Sequence, residues 1–224
     1  MLKRVDIVGN PNVGVFIQAT NDFAIVPYNL IDEKTSIIKE ALDVDVVKSS
    51  ISGSSLIGSL AVANSNGIIV PPQVSDSEVK QFEELGLNVG IVPGRYTALG
   101  NIVAANDTGA ITCPFLPDEA IKVIEDTLDV NVESRRIADK DIIGSLIQVT
   151  NKGFLITKDA SEDEVDFARE VFGVEGDIGT VGRGISLVGA CSIANVNGAI
   201  VAKDSTGPEM ARVEEALGFL DDFY

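Results

Sequence analysis

The apolar residues of this chain recur with a long, fixed period. Five glycines, each flanked by apolar residues, are separated by 44, 42, 44 and 45 positions: Gly14, Gly58, Gly100, Gly144 and Gly189. An asparagine follows each glycine by six or seven positions, and these are Asn21, Asn64, Asn106, Asn151 and Asn195. A period of this length is typical of repeat architectures, so the sequence predicts five copies of one module.

Each module begins with a pattern that predicts a β-hairpin. Four copies carry a second glycine two or three positions after the asparagine, whereas Ala24 stands in this place in the first copy. Asparagine and glycine tolerate the positive φ angles of tight hairpin turns. The glycine-centred segment and the apolar segment after the turn are therefore predicted as two strands.

A helix is predicted after each hairpin, because apolar residues then recur three and four positions apart. Three of these helices begin with an S/T-x-x-E capping box, in which Ser75, Ser161 or Thr206 precedes a glutamate. The helices are predicted to end near one large apolar residue per copy: Leu42, Leu85, Leu128, Phe172 and Leu217. A further apolar segment follows the first four helices, so the predicted module is ββαβ.

The fifth module stops soon after its helix, at residues 219–224, and is predicted to lack its last strand. The apolar segment 2–8 precedes the first hairpin and can fill that place. We therefore expect an α/β fold of five modules in a closed ring, because closure by the N-terminal strand removes exposed sheet edges. No linker interrupts the period, so we expect a single domain of residues 1–224, with modules at roughly 13–54, 55–97, 98–140, 141–184 and 185–224 plus 2–8.

The charge of the chain limits its partners. Seventeen lysines and arginines face 34 aspartates and glutamates, which gives a formal charge of −17. Such a surface repels a phosphate backbone, so extended nucleic-acid binding is not expected. The acidity either maintains solubility or complements a basic partner, and both interpretations remain open. The start of the chain lacks the pattern of a signal peptide, and we expect a cytoplasmic protein.

The composition also limits the chemistry. The chain has no histidine, which removes Ser-His-Asp and Cys-His nucleophile activation and histidine metal ligation. Cys113 and Cys191 lack CxxC spacing and are predicted as small core residues. Acidic clusters such as Asp118-Glu119 lie at predicted helix starts, where they compensate the dipole, or in the tail at Asp221-Asp222. The glycine-rich segment 176–184 lacks the GK[ST] of a phosphate-binding loop. We expect no catalysis, no metal and no cofactor.

The polar residues at the hairpin turns are the candidates for binding. Equivalent turns lie at one end of a cyclic repeat, so together they predict a polar surface there. Two interpretations remain open: asparagine satisfies the backbone of its own turn, or the turns vary because they form a binding face. Copies two and three differ most, with Arg95 and the run 97–101 leading into Asn106-Asp107.

Several short motifs of the chain match one family. They are Asn12-Val13-Gly14, Leu56-Ile57-Gly58 followed by Asn64, Arg95 with Ala98-Leu99-Gly100-Asn101, Asn106-Asp107, Ile143-Gly144-Ser145, and Gly179-Thr180-Val181 with Arg183-Gly184. With these motifs, which extend over nearly the whole chain, the sequence resembles the archaeal form of translation initiation factor six, the ribosomal anti-association factor.

The resemblance implies the pentein fold, with five ββαβ units around a pseudo-fivefold axis. It implies a monomer that binds the large (50S) ribosomal subunit and prevents its premature association with the small (30S) subunit; a role in large-subunit maturation is compatible with this. The implied partners are ribosomal proteins at the intersubunit face near the sarcin-ricin loop, with limited rRNA contact and neither membrane nor DNA. The expected partner-binding residues are Ser59, Asn64, Arg95, Gly100, Asn101, Asn106 and Asp107.

Two other classes of function stay open beside this one. Guanidine-modifying enzymes such as deiminases and amidinotransferases share the pentein fold, but they use a nucleophilic cysteine with a histidine, which this chain lacks. A ring-shaped interaction scaffold without a ribosomal partner is the third class. Co-sedimentation with large ribosomal subunits would separate it from the first.

Overall fold

The computed structural model describes residues 1–220 and has a mixed α/β architecture. The strands in this part of the chain form five sheets of three strands each. In chain order they are β1 (Leu2–Val5), β2 (Gln18–Ala19), β3 (Phe23–Pro27), β4 (Asp45–Ser49), β5 (Val62–Ala63), β6 (Gly67–Val70), β7 (Asn88–Ile91), β8 (Val103–Ala105), β9 (Gly109–Thr112), β10 (Asn131–Ser134), β11 (Ile147–Val149), β12 (Phe154–Thr157), β13 (Gly176–Gly179), β14 (Ser192–Ala194) and β15 (Ala199–Ala202).

Helices of a single turn alternate with helices of nine to eleven residues, except near the end of the chain. In chain order they are α1 (Val13–Phe16), α2 (Asp32–Leu42), α3 (Ile57–Leu60), α4 (Asp76–Glu84), α5 (Leu99–Ile102), α6 (Asp118–Leu128), α7 (Ile143–Leu146), α8 (Glu162–Phe172) and α9 (Gly207–Ala216). In the fifth copy a turn at 188–191 stands where the other copies have a one-turn helix.

The same order of elements recurs in the first four modules. A one-turn helix leads into an antiparallel pair of strands, a long helix follows, and a third strand pairs parallel with the second. In the first module, for example, β3 pairs antiparallel with β2 and parallel with β4. The long helices pack between their own sheet and the preceding one, as α6 does against β6, β7 and β10. The predicted repeat of small ββα units with a third strand is confirmed.

The prediction that the glycine-centred segments are strands is wrong, because these glycines lie in the one-turn helices or, in the fifth copy, in the turn. The reason is backbone packing. A Cβ atom on Gly58 would lie 1.9 Å from the Gly14 carbonyl oxygen, and one on Gly100 would lie 1.8 Å from that of Gly58. The series continues from Gly144 to Gly100 and from Gly189 to Gly144, and Gly14 in turn meets the Gly189 oxygen at 2.0 Å. Each glycine lets two segments meet backbone to backbone, which no other residue permits.

The N-terminal strand completes the fifth sheet, as the sequence predicts. Strand β1 pairs parallel with β15, in register from Leu2 opposite Ala199 to Val5 opposite Ala202. The order of this sheet is β1-β15-β14, so β1 takes the place that β4 takes beside β3. Residues 221–224, which include Asp221-Asp222 and most of the segment predicted to lack a strand, lie outside the described residues.

The long helices begin and end close to the predicted positions. The capping boxes at Ser75, Ser161 and Thr206 are confirmed, since each hydroxyl accepts a hydrogen bond from the backbone N–H of the glutamate three residues later. Helices α2, α6 and α8 end at the predicted apolar residue, while α4 and α9 end one residue before it. The acidic clusters at 118–119 and 162–164 lie in first turns, where they oppose the helix dipole.

The glutamate of each capping box also holds a turn of the chain outside its helix. The Glu209 carboxylate accepts hydrogen bonds from the backbone N–H groups of Arg183 at 3.1 Å and Gly184 at 2.8 Å. The Thr180 hydroxyl donates to it at 2.9 Å, and the Thr206 N–H at 2.8 Å. Burial alone would raise the pKa of Glu209, but these donors outweigh it and lower the pKa to about 2.

The same contact recurs at the other two capping boxes. Glu78 accepts hydrogen bonds from the backbone N–H groups of Ser52 and Gly53, and its pKa is lowered despite burial. Glu164 accepts one from the backbone N–H of Ala138 at 2.8 Å. One side chain thus caps a helix and fixes the turn that leads into the glutamate's own module, so the module boundary depends on it.

Replacing a central glycine should destabilise the protein strongly. Gly100→Ala places a methyl group against a backbone carbonyl that cannot move alone, and we expect a loss of about 3 kcal/mol or more in the free energy of unfolding. Gly207→Ala is the matched control, because a Cβ there meets no atom within 4 Å and lies at the start of α9. Urea unfolding measures both variants. Equal stabilities of the two variants would contradict the backbone contact.

The Glu209 carboxylate should make the stability depend on pH in acid. Its folded-state pKa of about 2 lies below its ordinary value of 4.5, so its contribution is complete above pH 4.5 and disappears as the pH falls through about 2. Because the side chain is only half-buried, we expect about 1–2 kcal/mol. Glu209→Gln should remove this part of the pH dependence between pH 5 and 2 in urea titrations, whereas Glu214→Gln on the same helix should retain it.

Candidate functional site

The structure shows which residues of the five hairpin turns are equivalent. In the first and fourth copies these residues differ from the predicted ones. In each turn a backbone N–H donates to the carbonyl three residues later, and the donors are Thr20, Asn64, Asn106, Thr150 and Asn195. The predicted equivalence of Asn21 and Asn151 with the other asparagines is therefore wrong by one position, and Phe23, not Ala24, replaces the turn glycine. The threonine hydroxyl accepts the same local hydrogen bond that the asparagine side chain accepts: Thr150 accepts from the Gly153 N–H as Asn64 does from the Gly67 N–H. Because two residue types do the same work, the sequence alone does not show that these positions are equivalent.

Three of the five turns begin with an asparagine, and the side chains of these asparagines make contacts between modules. Asn64 is buried, and its amide group donates to the carbonyl of Asn106 at 3.2 Å and to that of Leu128, the last residue of α6, at 2.8 Å. Its amide oxygen accepts from the N–H groups of Asn66 and Gly67. With all of these groups paired, the side chain joins two turns and a helix end and has little left for a partner.

The two other asparagines at this position make the same contacts. Asn106 is buried and donates to the carbonyls of Thr150 at 3.1 Å and Phe172 at 2.9 Å. Asn195 donates in the same way to Thr20 and Leu42, across from the last module to the first. These side chains connect three of the five turns to the next one around the repeat, so their role in the structure is to join modules.

The next residue of each turn is more accessible, and Ser65 and Asn151 at this position are exposed. The Asp107 carboxylate accepts from the Ser65 backbone N–H at 2.8 Å and from the Ser65 hydroxyl at 2.7 Å. The Asn151 side chain donates to Oδ2 of the same carboxylate, the oxygen that also accepts from the Ser65 hydroxyl, and it accepts from the Asp107 N–H at 3.0 Å. Asp107 is half-buried, and it is the candidate at this end that a partner can reach.

The predicted residues of the glycine-centred segments lie inside the molecule. Gly100 packs against Gly58, as described above, and Ser59 is only 8% exposed. Asn101 is half-buried and accepts from the Ser145 hydroxyl at 3.4 Å, beside a central cavity of approximately 70 Å³ that the five glycines also line. Gly100 and Ser59 are thus packing residues.

Arg95 lies at the opposite end of its module from the turns. It follows β7, whereas Asn64 precedes β6, and these two strands run parallel. Each of these strands has four residues, so about 13 Å of sheet separates the end at which Asn64 lies from the end at which Arg95 lies. The expectation that Arg95 lies beside the hairpin turns is therefore wrong, because the chain must cross the sheet before it reaches the one-turn helix α5. The structure groups Asn64, Asn106 and Asp107 at one end and leaves Arg95 at the other.

Two aromatic residues accompany Arg95 and were not among the predicted site residues. The guanidinium carbon lies 5.1 Å from the centre of the Tyr96 ring, and the Arg95 guanidinium donates to the Tyr96 hydroxyl at 3.1 Å. The Tyr96 ring packs against Phe115, with 4.6 Å between the centres, and Phe115 is 40% exposed. The hydrogen bond to Tyr96 raises the pKa of Arg95, which remains charged. The only sequence signal for this group is a phenylalanine between two prolines at 114–117.

The cysteines are core residues, as predicted. Cys113 and Cys191 are free and buried, and burial raises the pKa of Cys191 to about 11 and also raises that of Cys113. A thiol with a raised pKa is a poor nucleophile. Within residues 1–220, no group of three histidine, cysteine, aspartate or glutamate side chains could hold a metal ion. None of the helices in that range is long and apolar enough to cross a membrane.

Comparison with known proteins gives consistent matches. The sequence profile of the eIF-6 family matches residues 2–216. Translation initiation factor 6 of Methanobrevibacter smithii is 78% identical over 222 residues, which cover 99% of this chain and all of the relative. The factors of the same name from Pyrococcus abyssi and Methanocaldococcus jannaschii are 42% and 40% identical, each with 98% of this chain and 99% of the relative covered.

These matches extend over all five modules and include the motifs on which the resemblance in sequence was based. The relatives carry the name of a translation initiation factor, and their lengths agree with that of this chain. The chain belongs to the eIF-6 family of translation initiation factors.

Proposed function

We propose that this protein binds the large ribosomal subunit and prevents its premature association with the small subunit. The observation that carries the proposal is membership of the eIF-6 family over residues 2–216, because a translation initiation factor acts on the ribosome. The charge of −17 fits docking on basic ribosomal proteins more than on exposed rRNA. The partners are proteins of the intersubunit face near the sarcin-ricin loop, with limited rRNA contact, and the protein acts as a cytoplasmic monomer.

The fold that we propose for this function is the pentein fold, a closed pseudo-fivefold ring in one domain. Two contacts support closure: Gly14 packs against Gly189, and Asn195 bonds to the first module. The pairing of β1 with β15 supports closure by the N-terminal strand. The module boundaries stay as expected, at roughly 13–54, 55–97, 98–140, 141–184 and 185–224 plus 2–8. A closed ring presents two end surfaces of fixed shape, which suits a factor that acts by occupying space.

Arg95 is the predicted residue best suited to contact a partner. Its guanidinium is exposed and contacts the ring and the hydroxyl of Tyr96, which in turn packs against Phe115. Within residues 1–220, no salt bridge engages it. Arginine and tyrosine are frequent anchors of protein interfaces because they combine apolar contact with hydrogen bonding. Asp107 and Asn101 are weaker candidates, since their side chains already bond to neighbouring modules.

The guanidine-modifying enzymes are the less favoured class. The chain lacks histidine, and both of its thiols are buried with a raised pKa. Such thiols do not attack a guanidinium carbon at neutral pH. A generic scaffold would bind neither subunit selectively. Sedimentation of the protein with isolated large and small subunits tests the proposal: we expect it with the large subunit alone, and absence from that fraction would refute it.

Reversing the charge of Arg95 should weaken binding without unfolding the protein. Arg95→Glu removes the cation from an exposed site, and we expect a roughly tenfold or greater loss of affinity for large subunits with an unchanged melting temperature. Lys80→Glu is the matched control, because it makes the same change of charge on the outer helix α4, where the lysine is 76% exposed. Sedimentation titrations measure both. Full-strength binding by a folded Arg95→Glu, Asn101→Ala, Asp107→Ala variant would place the site elsewhere.

A further inference from the structure

The chain contains two Asn-Gly pairs, and both lie in hairpin turns. Asn66 directly precedes Gly67, the first residue of β6, and Asn197-Gly198 directly precedes β15. An asparagine followed by glycine is the pair most prone to spontaneous deamidation in peptides, because glycine has no Cβ to hinder its own backbone nitrogen. The reaction needs only water and mild base, so its rate in a protein depends on how the fold holds the two residues.

Deamidation begins with attack by the glycine backbone nitrogen on the side-chain carbonyl carbon of the asparagine. The glycine nitrogen gives up its proton to solvent base, the new N–C bond closes a succinimide ring, and the side-chain nitrogen leaves as ammonia. Water then adds to either carbonyl carbon of the ring and breaks its bond to the nitrogen, which leaves aspartate or isoaspartate. No atom is oxidised or reduced, and a neutral amide becomes a carboxylate.

The attacking nitrogen is held by a hydrogen bond in both turns. The Gly67 N–H donates to the side-chain oxygen of Asn64 at 3.1 Å, and the N–H of Asn66 donates to the same oxygen at 3.0 Å. In the last module the Gly198 N–H donates to the side-chain oxygen of Asn195 at 3.1 Å. Both glycines are buried, so solvent base does not reach these protons. While the turn is intact, its glycine nitrogen cannot attack.

The amide group that would be attacked is held across a module junction. The Asn66 side chain donates to the carbonyl of Leu128, the last residue of α6 in the third module, at 2.9 Å. The Asn197 side chain donates to the carbonyl of Leu42, the last residue of α2 in the first module, at 3.3 Å. Asn66 is half-buried and Asn197 is exposed. Each side chain can turn towards its own glycine only when its junction opens, and Asn197 is the less protected of the two.

A carboxylate at either position would oppose the closed junction. It has no N–H group to donate to the carbonyl at the helix end, and its charge faces the negative end of the helix dipole. Asp129 follows α6 directly and Asp43 follows α2 directly, so each new carboxylate also meets a negative charge beside that carbonyl. The product of deamidation therefore cannot restore the bond that the asparagine made.

We propose that Asn66 and Asn197 are deamidation sites that the closed module junctions protect, and that each reacts when its own junction opens. The carboxylate then hinders the junction from closing again, so a brief opening becomes a permanent covalent change. The two sites report on different junctions, because Asn66 joins the second module to the third and Asn197 joins the fifth to the first. This chemistry is independent of ribosome binding.

Two reciprocal variants test the protection, and each is the matched control of the other. Asn64→Ala removes the acceptor of the Gly67 N–H, and Asn195→Ala removes that of the Gly198 N–H. The full-length proteins are incubated at mildly alkaline pH, and mass spectrometry of their peptides measures deamidation at both sites. Because one hydrogen bond is lost, we expect Asn64→Ala to accelerate the reaction at Asn66 roughly tenfold and leave Asn197 unchanged. Asn195→Ala should do the reverse.

The wild-type protein supplies the reference rates. Both sites should react rapidly and equally in urea, whereas in the folded protein both should be slow and Asn66 the slower. Reaction in the folded protein as fast as in urea would overturn the proposal. Acceleration of both sites to the same extent by Asn64→Ala, or of neither, would overturn it too, because protection would then not depend on the local bond.

Asn64→Thr decides the matter if the alanine variant does not fold. Thr150 has the same place in its turn and accepts the Gly153 N–H at 3.2 Å, so a threonine can supply the missing acceptor. We expect Asn66 to stay protected in this variant. Rapid deamidation of Asn66 in a folded Asn64→Thr protein would contradict the role of the bond to Gly67.

The effect of the product is measured with a substitution that creates its charge. Asn66→Asp should melt roughly 2–4 °C below the wild type, because the bond to Leu128 is replaced by repulsion. Asn66→Thr is the matched control, since Thr108 has this place in the third module and lies beside Gly173 at the end of α8. Equal melting temperatures of the Asp and Thr variants would show that the carboxylate does not hinder closure and would overturn that part of the proposal.

Discussion

The structure depends on direct contact between backbones at five glycines. Each one-turn segment brings its glycine against the carbonyl oxygen of the preceding glycine, and the first glycine meets the last one. A single methyl group would separate these segments, so the distance between modules is set without any side chain. The hairpins, long helices and inter-module turns then take positions that follow from this contact. Because every module needs this glycine, the glycines recur in the sequence with a period of about 44 residues.

Several polar side chains of the repeat hold the modules together. Asn64, Asn106 and Asn195 join three of the five turns to the next module, and Glu78 and Glu209 fix turns between modules. Because buried polar groups must be paired, these side chains cannot also recognise a partner. What remains for binding is a small set of exposed groups, of which Arg95 beside Tyr96 is the most distinctive.

The sequence predicts the repeat well and the candidate site only in part. Periodicity identifies the five modules, the three capping boxes and the strand that β1 supplies to the fifth sheet. It cannot tell a glycine in a strand from a glycine in a helical turn, since both lie among apolar residues. It also treats Asn64 and Arg95 as neighbours in one site, because nothing in the local pattern states that a sheet separates them. The contact of Tyr96 with Phe115 is between modules and leaves no local signal.

In the function that we propose, this protein acts by occupying the large subunit and not by changing it. Light scattering of mixed large and small subunits measures their joining, and the protein is added to the large subunits first. Suppression should rise linearly with the amount of protein and be complete near one molecule per large subunit. Complete suppression by a small fraction of that amount would indicate catalytic action, and undiminished joining at saturation would show that the protein does not block association. Either result would contradict the proposed function.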